Sequence, residues 1–375
     1  MKLLFVSPEN IDQASTFVKR QAAWLRPVGV LSGGYKPYRY NGVSVFPFLL
    51  RLNMIRILLK NIAPSIYTQF YNKALFRFLK SKNFDAVLCQ FGPQGAQIVD
   101  ACHRAGVPLV VHFHGYDAFV HRTIVKYSDA YRNMFEKAAY IIAVSEDMRR
   151  QLIGLGAPAN KVILRPYGVD TTMFTDAQPA TNGKILLFVG RFTAKKDPVS
   201  LLKAFHHARN AVPDARLIMI GRGELYQLVL KTIDELNLQD SVEILGWQKP
   251  EEIARRMQQA RAYVQHSVFA PNGDSEGSPV SIIEAAGSGL PIISTRHAGI
   301  KESVIEDVTG YLVDEGDWQN MGEYMKKLLH DAELAGKMGK AGRRHILEHY
   351  DIRQQMEKLQ EILEKAVTQN KLKNK

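Results

Sequence analysis

The sequence predicts an α/β protein of two doubly wound domains of similar size, and three observations predict it. Short β-branched runs alternate with helical segments, the pattern that lays helices on both faces of a parallel sheet. The rhythm breaks at "RPYGVD" and a polar stretch from Thr175 to Gly183, then starts again at "KILLFVG". At 375 residues the chain is too long for one average domain. The domains are expected over 1–168 and 169–347, with 348–375 as a terminal helix and a frayed basic tail. Two such domains put a cleft between them.

Leu3–Val6 is a short apolar run ended by Pro8 and Glu9. It is too short for a signal peptide and reads as a buried first strand. Further strands are expected at Ala86–Cys89, Pro108–Phe113, Tyr140–Val144 and Val162–Leu164. Helices are expected near Ala14–Trp24, Leu49–Ile62, Ser65–Lys80, Gln94–Ala105 and Glu146–Leu155. In the second domain the strands are Ile185–Val189, Arg216–Ile220, Val242–Leu245, Ala262–Gln265, Pro291–Ser294 and Tyr311–Val313. Helices follow at Pro198–Ala211, Glu224–Leu236, Pro250–Gln259 and Pro279–Ser288, and the rest is helical to "RQQMEKLQEILEKAV". Proline suits the first helical turn.

The net charge is +12, and all of the excess lies in the first half: residues 1–170 hold 22 Lys+Arg against 10 Asp+Glu. No acid occurs between Asp12 and Asp85, where twelve cations do. Within residues 36–82 these cations alternate with Leu, Ile, Phe and Tyr. An anionic partner is implied, a membrane surface above all, although solvated amphipathic helices would read alike. No nucleic acid is expected, because the cations sit among aliphatic residues and on no recognised motif. No apolar run approaches the ~18 residues of a membrane span. Cys89 and Cys102 are too few for a disulfide framework or a zinc site; both read as core residues in a reducing, cytoplasmic setting.

Ligands of open α/β sheets bind beyond the carboxyl ends of strands. After Ile185–Val189 comes "GRFTAKKD". Gly190 permits a close turn, and Arg191 and Lys196 at a helix entrance suit a diphosphate. After Arg216–Ile220, Gly221 and Gly223 permit a tight turn into a helix whose N–H groups face an anion. The third glycine of a dinucleotide fingerprint is absent. In "GDSEGSPVSIIEAAGSG", Ser278 is the expected N-cap and Pro279 the first helical residue. Glu276 then sits on the loop's lip, and Glu284 about two turns into the helix. A carboxylate binds a vicinal diol through two acceptor contacts, so one acid suits a sugar and the other a ribose. In "VVHFHGYD", His112 and His114 share a face. His112 reads as core and His114 as a residue beyond the strand. No metal-ligand set is visible.

"GRFTAKKD", "IGRGEL", "EILGW", "GDSEGSPVSIIEAAGSGLPIISTRHAGIKE" and "GYLVDEGD", in this order, resemble the retaining glycosyltransferases of family 4. "HFHGYD" and "RPYGVD" fit the same family. The resemblance is dense over 185–315 and thinner but continuous over 1–170. It implies the GT-B fold: two doubly wound Rossmann-like domains facing a central cleft, with the C-terminal helix crossing back to the N-terminal domain. By it, Arg191 and Lys196 would hold the donor diphosphate beside Gly190, Gly221 and Gly223. Glu284 would bind the ribose, and Glu276 the donor sugar, with Gly277, Ser278, Pro279 and Val280 nearby. His114 would contact the sugar from the other domain, and Gly246 and Trp247 would lie by the base. The loop "SPENIDQASTFVKRQ" lacks the glycine pair of many relatives. It resembles instead a subgroup of exopolysaccharide and lipopolysaccharide enzymes, with Ser15 and Thr16 as candidate acceptor contacts.

The expected activity is retaining transfer of a hexosyl group from a nucleotide sugar, UDP-linked, to a lipid-linked or surface polysaccharide acceptor. The expected place is the inner face of the plasma membrane. No Asp-x-Asp pair occurs in the chain, so no metal and no other cofactor is expected. The rivals are a nucleotide-sugar 2-epimerase, which shares the fold and needs no acceptor, and a basic nucleic-acid-binding protein.

Overall fold

The computed structural model describes residues 1–34, 38–46, 57, 61–175 and 177–373. The expected helix Leu49–Ile62, with Arg51, Arg56 and Lys60, falls for the most part outside them. The contacts divide the chain into two units: Met1–Arg165 with Met356–Lys375, and Pro166–Gln355.

In the first unit the strands are β1 (Leu3–Ser7), β2 (Gly29–Ser32), β3 (Arg39–Tyr40), β4 (Val43–Ser44), β5 (Ala86–Gln90), β6 (Leu109–His112), β7 (Tyr140–Ala143) and β8 (Val162–Leu164). Among the described residues they form one sheet in the order β4-β3-β2-β1-β5-β6-β7-β8. Its core strands are parallel; β3 and β4 run antiparallel at one edge. Leu4, Phe5, Val87, Leu88 and Val110 are fully buried, as strands covered on both faces require. Cys89 and Cys102 are free and buried, in line with their reading as core residues. The sequence reading missed the helix His121–Lys137, which is amphipathic and buries Tyr131, Met134 and Phe135. The terminal helix Ile352–Lys373 buries Met356, Leu359, Ile362, Leu363 and Ala366, and Asn370 donates to the Gly106 carbonyl at 2.8 Å. No helix of the described residues is long and apolar enough to cross a membrane.

In the second unit the strands are β9 (Ile185–Val189), β10 (Arg216–Ile220), β11 (Val242–Gly246), β12 (Ala262–Gln265), β13 (Ile292–Thr295) and β14 (Gly310–Val313). They run parallel in the order β11-β10-β9-β12-β13-β14. The order reverses at β9, which lies between β10 and β12. In a doubly wound sheet that reversal opens a crevice at the carboxyl ends of β9 and β12. Helices Pro198–Ala211 and Pro250–Gln259 begin where the prolines place them. Leu201, Phe205, Leu217, Val264, Met325 and Leu328 form part of the core packed against this sheet.

Candidate active site

Two loops meet at the reversal point of the second sheet. One runs from Gly190 to Asp197 after β9, the other from His266 to Pro279 after β12. The N–H of Val268 donates to the Lys195 carbonyl at 3.0 Å. The Lys195 ammonium answers with Asp274 Oδ1 at 3.1 Å and the Ser275 carbonyl at 3.2 Å. Next to this clasp, Lys196 Nζ lies 3.2 Å from Glu276 Oε1, with both side chains about nine-tenths buried. Arg191, on the same loop, is exposed. Burial pushes the Lys196 ammonium down in pKa, and Lys195 and Arg191 add to this while Glu276 opposes it. Burial acts to raise the Glu276 carboxyl, but Lys196 and Lys195 outweigh it and hold the group below the ordinary range. The pair therefore sits beside the cations Lys195 and Arg191, and the cations keep Glu276 ionised in spite of its burial.

Glu276 is 6% exposed, so it is not on a loop lip as expected. Ser278 is not the N-cap of the next helix either. The helix is Val280–Ser288, and Pro279, extended at φ −72° and ψ 106°, takes the capping position without a side-chain bond. Proline fits the residue before a helix as well as the first within it. The carbonyl of Pro279 accepts from Ile282 and Ile283, which leaves the N–H groups of Val280 and Ser281 with no acceptor inside the helix. Glu284 is thus the fifth helical residue, not two turns in, and is 8% exposed, unlike a surface acid. Tyr263 Oη fixes the helix start: it lies within 3.0 Å of the Val189 carbonyl, Gln265 Oε1 and Ser281 Oγ.

The helix after Gly221 and Gly223 starts at Tyr226, two residues later than expected. The glycines also serve the neighbouring loop. Gly190 donates to Ile220, Phe192 to Arg222, and Leu225 to Phe192, at 2.9 to 3.1 Å. A side chain at either glycine would collide with the backbone of residues 190–192. They therefore set where Arg191 stands. Gly246 ends the outer strand β11 at φ 67° with the Arg222 guanidinium against it, and Trp247 beyond it is 75% exposed.

In the first unit, His114 follows β6 and is half-buried between Phe17 and Phe91, at ring-centroid distances of 4.6 and 4.5 Å. Its Nε2 lies 2.8 Å from Gln90 Oε1; Gln90 donates to Gln21 Oε1 at 3.0 Å, and Gln21 reaches His112 Nδ1 at 3.2 Å. This chain puts the His114 proton on Nε2 and leaves Nδ1 an acceptor. Burial pushes His114 well below the usual histidine range and His112 down to about 3, so both rings are neutral. His112 is 3% exposed, the core residue expected. Asp117 accepts from the N–H groups of Gly92, His114 and Gly115 at 2.9 to 3.0 Å and so ties the loops after β5 and β6 together. Burial raises its carboxyl to about 6 against those three bonds.

Sequence reasoning missed Lys195, Tyr263, Asp117 and three residues behind the site: His266, His297 and Glu315. His297 and Glu315 stand just beyond β13 and β14, where the strand-end rule would have found them.

Two family models match the chain: one described as glycosyltransferase family 4 over residues 28–173, the other as glycosyl transferases group 1 over residues 170–345. A protein of Escherichia coli named as a colanic acid biosynthesis glycosyltransferase, WcaL, is 29% identical over 72% of this chain and 68% of its own. Relatives at similar identity are covered over 59 to 61% of their length. The UDP-Gal:alpha-D-GlcNAc-diphosphoundecaprenol alpha-1,3-galactosyltransferase of E. coli is 26% identical over 77% of both chains. Among solved structures, Anabaena HepE in complex with UDP and glucose superposes over 97% of this chain and 100% of its own, with a TM-score of 0.75 at 17% identity. The two models meet at the boundary between the two sheets and together span both, and the chain belongs to the family 4 glycosyltransferases of GT-B fold.

Proposed function

We propose that the chain transfers a hexosyl group from a UDP-linked sugar, with retention, to a lipid-linked or surface polysaccharide acceptor. The observation that carries this is the buried Lys196–Glu276 pair, with Lys195 and Arg191 on the same loop, at the carboxyl ends of β9 and β12. Departure of a nucleoside diphosphate puts negative charge on phosphate oxygens. Lys196, Arg191 and the first-turn N–H groups of helix Val280–Ser288 are the donors that would meet it, fixed before the reaction begins. They supply the charge a bridging metal would, so the reaction as proposed uses none. Glu276, kept ionised, accepts from donor-sugar hydroxyls, and Glu284 from the ribose. His114, with a neutral ring, is read as a further contact to the donor sugar on the family resemblance alone. The similarity to an undecaprenol-linked galactosyltransferase and to exopolysaccharide enzymes supports the acceptor class.

The two acids should separate in a direct test. Glu284→Ala is expected to weaken UDP binding by about tenfold or more, the loss of hydrogen bonds to a charged acceptor. Glu276→Ala is expected to cut turnover with UDP affinity little changed. The measurement is calorimetric titration with UDP beside transfer from a panel of UDP-hexoses, with and without acceptor. UDP failing to bind, or the two variants behaving alike, would refute the assignment.

We place the enzyme in the cytoplasm, peripheral to the inner face of the plasma membrane. On helix Pro64–Lys82, Ile66 and Phe70 are 48% and 57% exposed, and Lys73 and Arg77 follow at helical spacing. With no acid between Asp12 and Asp85, an anionic bilayer is the complementary surface. The protein is expected to pellet with phosphatidylglycerol vesicles, less so at high salt or as Lys73→Ser/Arg77→Ser. Unchanged pelleting of that variant would rule this face out.

A further inference from the structure

Behind Glu276 lies a polar network that the transfer chemistry does not itself require. His297 follows β13 and is 1% exposed. Its Nε2 lies 3.3 Å from the N–H of Glu276 and 3.0 Å from Ser275 Oγ. A backbone N–H only donates, so Nε2 must be bare and the ring proton must sit on Nδ1. Nδ1 lies 2.6 Å from Glu315 Oε1, which fixes that tautomer. The other oxygen of Glu315 accepts from the N–H of Phe269 at 3.0 Å. One carboxylate therefore grips both ends of the loop that carries Glu276: the start directly, the end through the imidazole. Thr295 Oγ1 adds a third hold, accepting from the Ser267 N–H at 3.1 Å and donating to its carbonyl at 2.6 Å.

We infer that His297 and Glu315 are positioning residues for donor-sugar recognition: they hold the Glu276 backbone so that its carboxylate meets the sugar hydroxyls. The inference rests on the reading of Glu276 as the donor-sugar acceptor. The nucleotide half of the donor is met by other residues, Arg191, Lys196 and Glu284, so the network should affect the sugar and not the UDP. The Lys196 contact alone does not fix the carboxylate, since a lysine ammonium on a flexible stem imposes little direction. The network supplies direction from the backbone side. Misplacing a reacting group by about 1 Å costs on the order of 100-fold in rate, so a device of this kind is worth its buried polar atoms.

Two substitutions of the same ring separate positioning from packing. His297→Asn keeps an amide near the Nδ1 position, facing Glu315, and removes the acceptor for the Glu276 N–H. His297→Gln places a carbonyl oxygen near the Nε2 position. His297→Asn is expected to lower kcat for transfer from UDP-hexoses by about 30–100-fold, with the Kd for UDP within about threefold of wild type. His297→Gln should recover at least about tenfold of that loss. Glu315→Ala, at a position about one-third exposed, should show the same split with a smaller fall in kcat. Equal loss of UDP affinity and turnover, turnover of both His297→Asn and Glu315→Ala close to wild type, or no recovery in His297→Gln would overturn the inference. Should His297→Asn fail to fold, the kcat and UDP affinity of Glu315→Ala decide by the same criteria. A wild-type protein that binds UDP but transfers no hexose from the panel would instead sink the functional reading on which the inference depends.

Discussion

Lys196→Ala is expected to lower turnover of sugar transfer by about 10²–10³-fold, the loss seen when one preorganised donor to a developing anion is removed. The effect has two parts, and they can be told apart. The first is the missing donor to the departing diphosphate. The second is the fate of Glu276. Burial acts to raise that carboxyl, and the Lys196 ammonium is the largest influence holding it down. Without it, the balance tips towards burial, and Glu276 takes up a proton at a higher pH than in the wild type. A protonated Glu276 is a weaker acceptor for sugar hydroxyls. Residual activity of Lys196→Ala should therefore climb with pH as the carboxyl ionises, over a range where the wild type is flat. Stability should fall as well, because removing one partner of a buried ion pair costs about 3–5 kcal/mol. Lys196→Met with Glu276→Gln removes both charges, so it should regain much of the melting temperature and none of the activity. A single variant with wild-type turnover would show that Lys196 does not face the leaving group, whatever its pairing with Glu276.

The interior of the second unit was legible because its signals are local. Strands such as Ile185–Val189 and Ala262–Gln265 are short apolar runs closed by turn residues, and Pro198 and Pro250 mark helix starts by a geometric restriction of their own. What was lost had no such local mark. Strand β2 lies between Pro27 and the pair Gly33–Gly34, and its four residues are too short a run to stand out as a strand. The helix His121–Lys137 opens without a capping side chain, so only the recurrence of Ile124, Tyr127, Tyr131 and Met134 at helical spacing could have announced it, and the sequence reading passed over it. At the site, the residue types were readable but their company was not. Lys196 and Glu276 are distant in sequence and meet because β9 pairs with β12, a choice of strand order that no window of sequence encodes. Lys195 was not singled out beside Lys196. The two point into different partners, Asp274 and Glu276, because they occupy successive positions of one tight 3-10 turn, Ala194–Lys196.

Gly221→Ala is expected to be the most damaging small substitution in the second unit. Gly221 sits at φ +143°, a backbone region that side chains avoid, and an added Cβ would stand 2.9 Å from the Gly190 carbonyl carbon and closer still to its oxygen. The obstacle is backbone, and it belongs to the end of β9, whose N–H at Gly190 is bonded to the Ile220 carbonyl at 2.9 Å. Relief requires either that loop to retreat or β10 to shift against β9. Strain of this kind costs about 1–3 kcal/mol for the backbone angle alone, and the collision adds to it, for a total of about 4 kcal/mol. For a domain of this size that is a fall in melting temperature of roughly 10 °C. Arg191 is the residue after Gly190, so retreat of the loop moves the guanidinium, and UDP affinity should drop together with stability. Gly183→Ala is the matched control: nothing stands within 4 Å of its added Cβ, and its φ is not positive. It should melt within about 0.5 kcal/mol of wild type. Melting of Gly221→Ala at the control temperature, with UDP binding intact, would mean that the loops after β9 and β10 are not pressed together, and that Arg191 owes its place to something else.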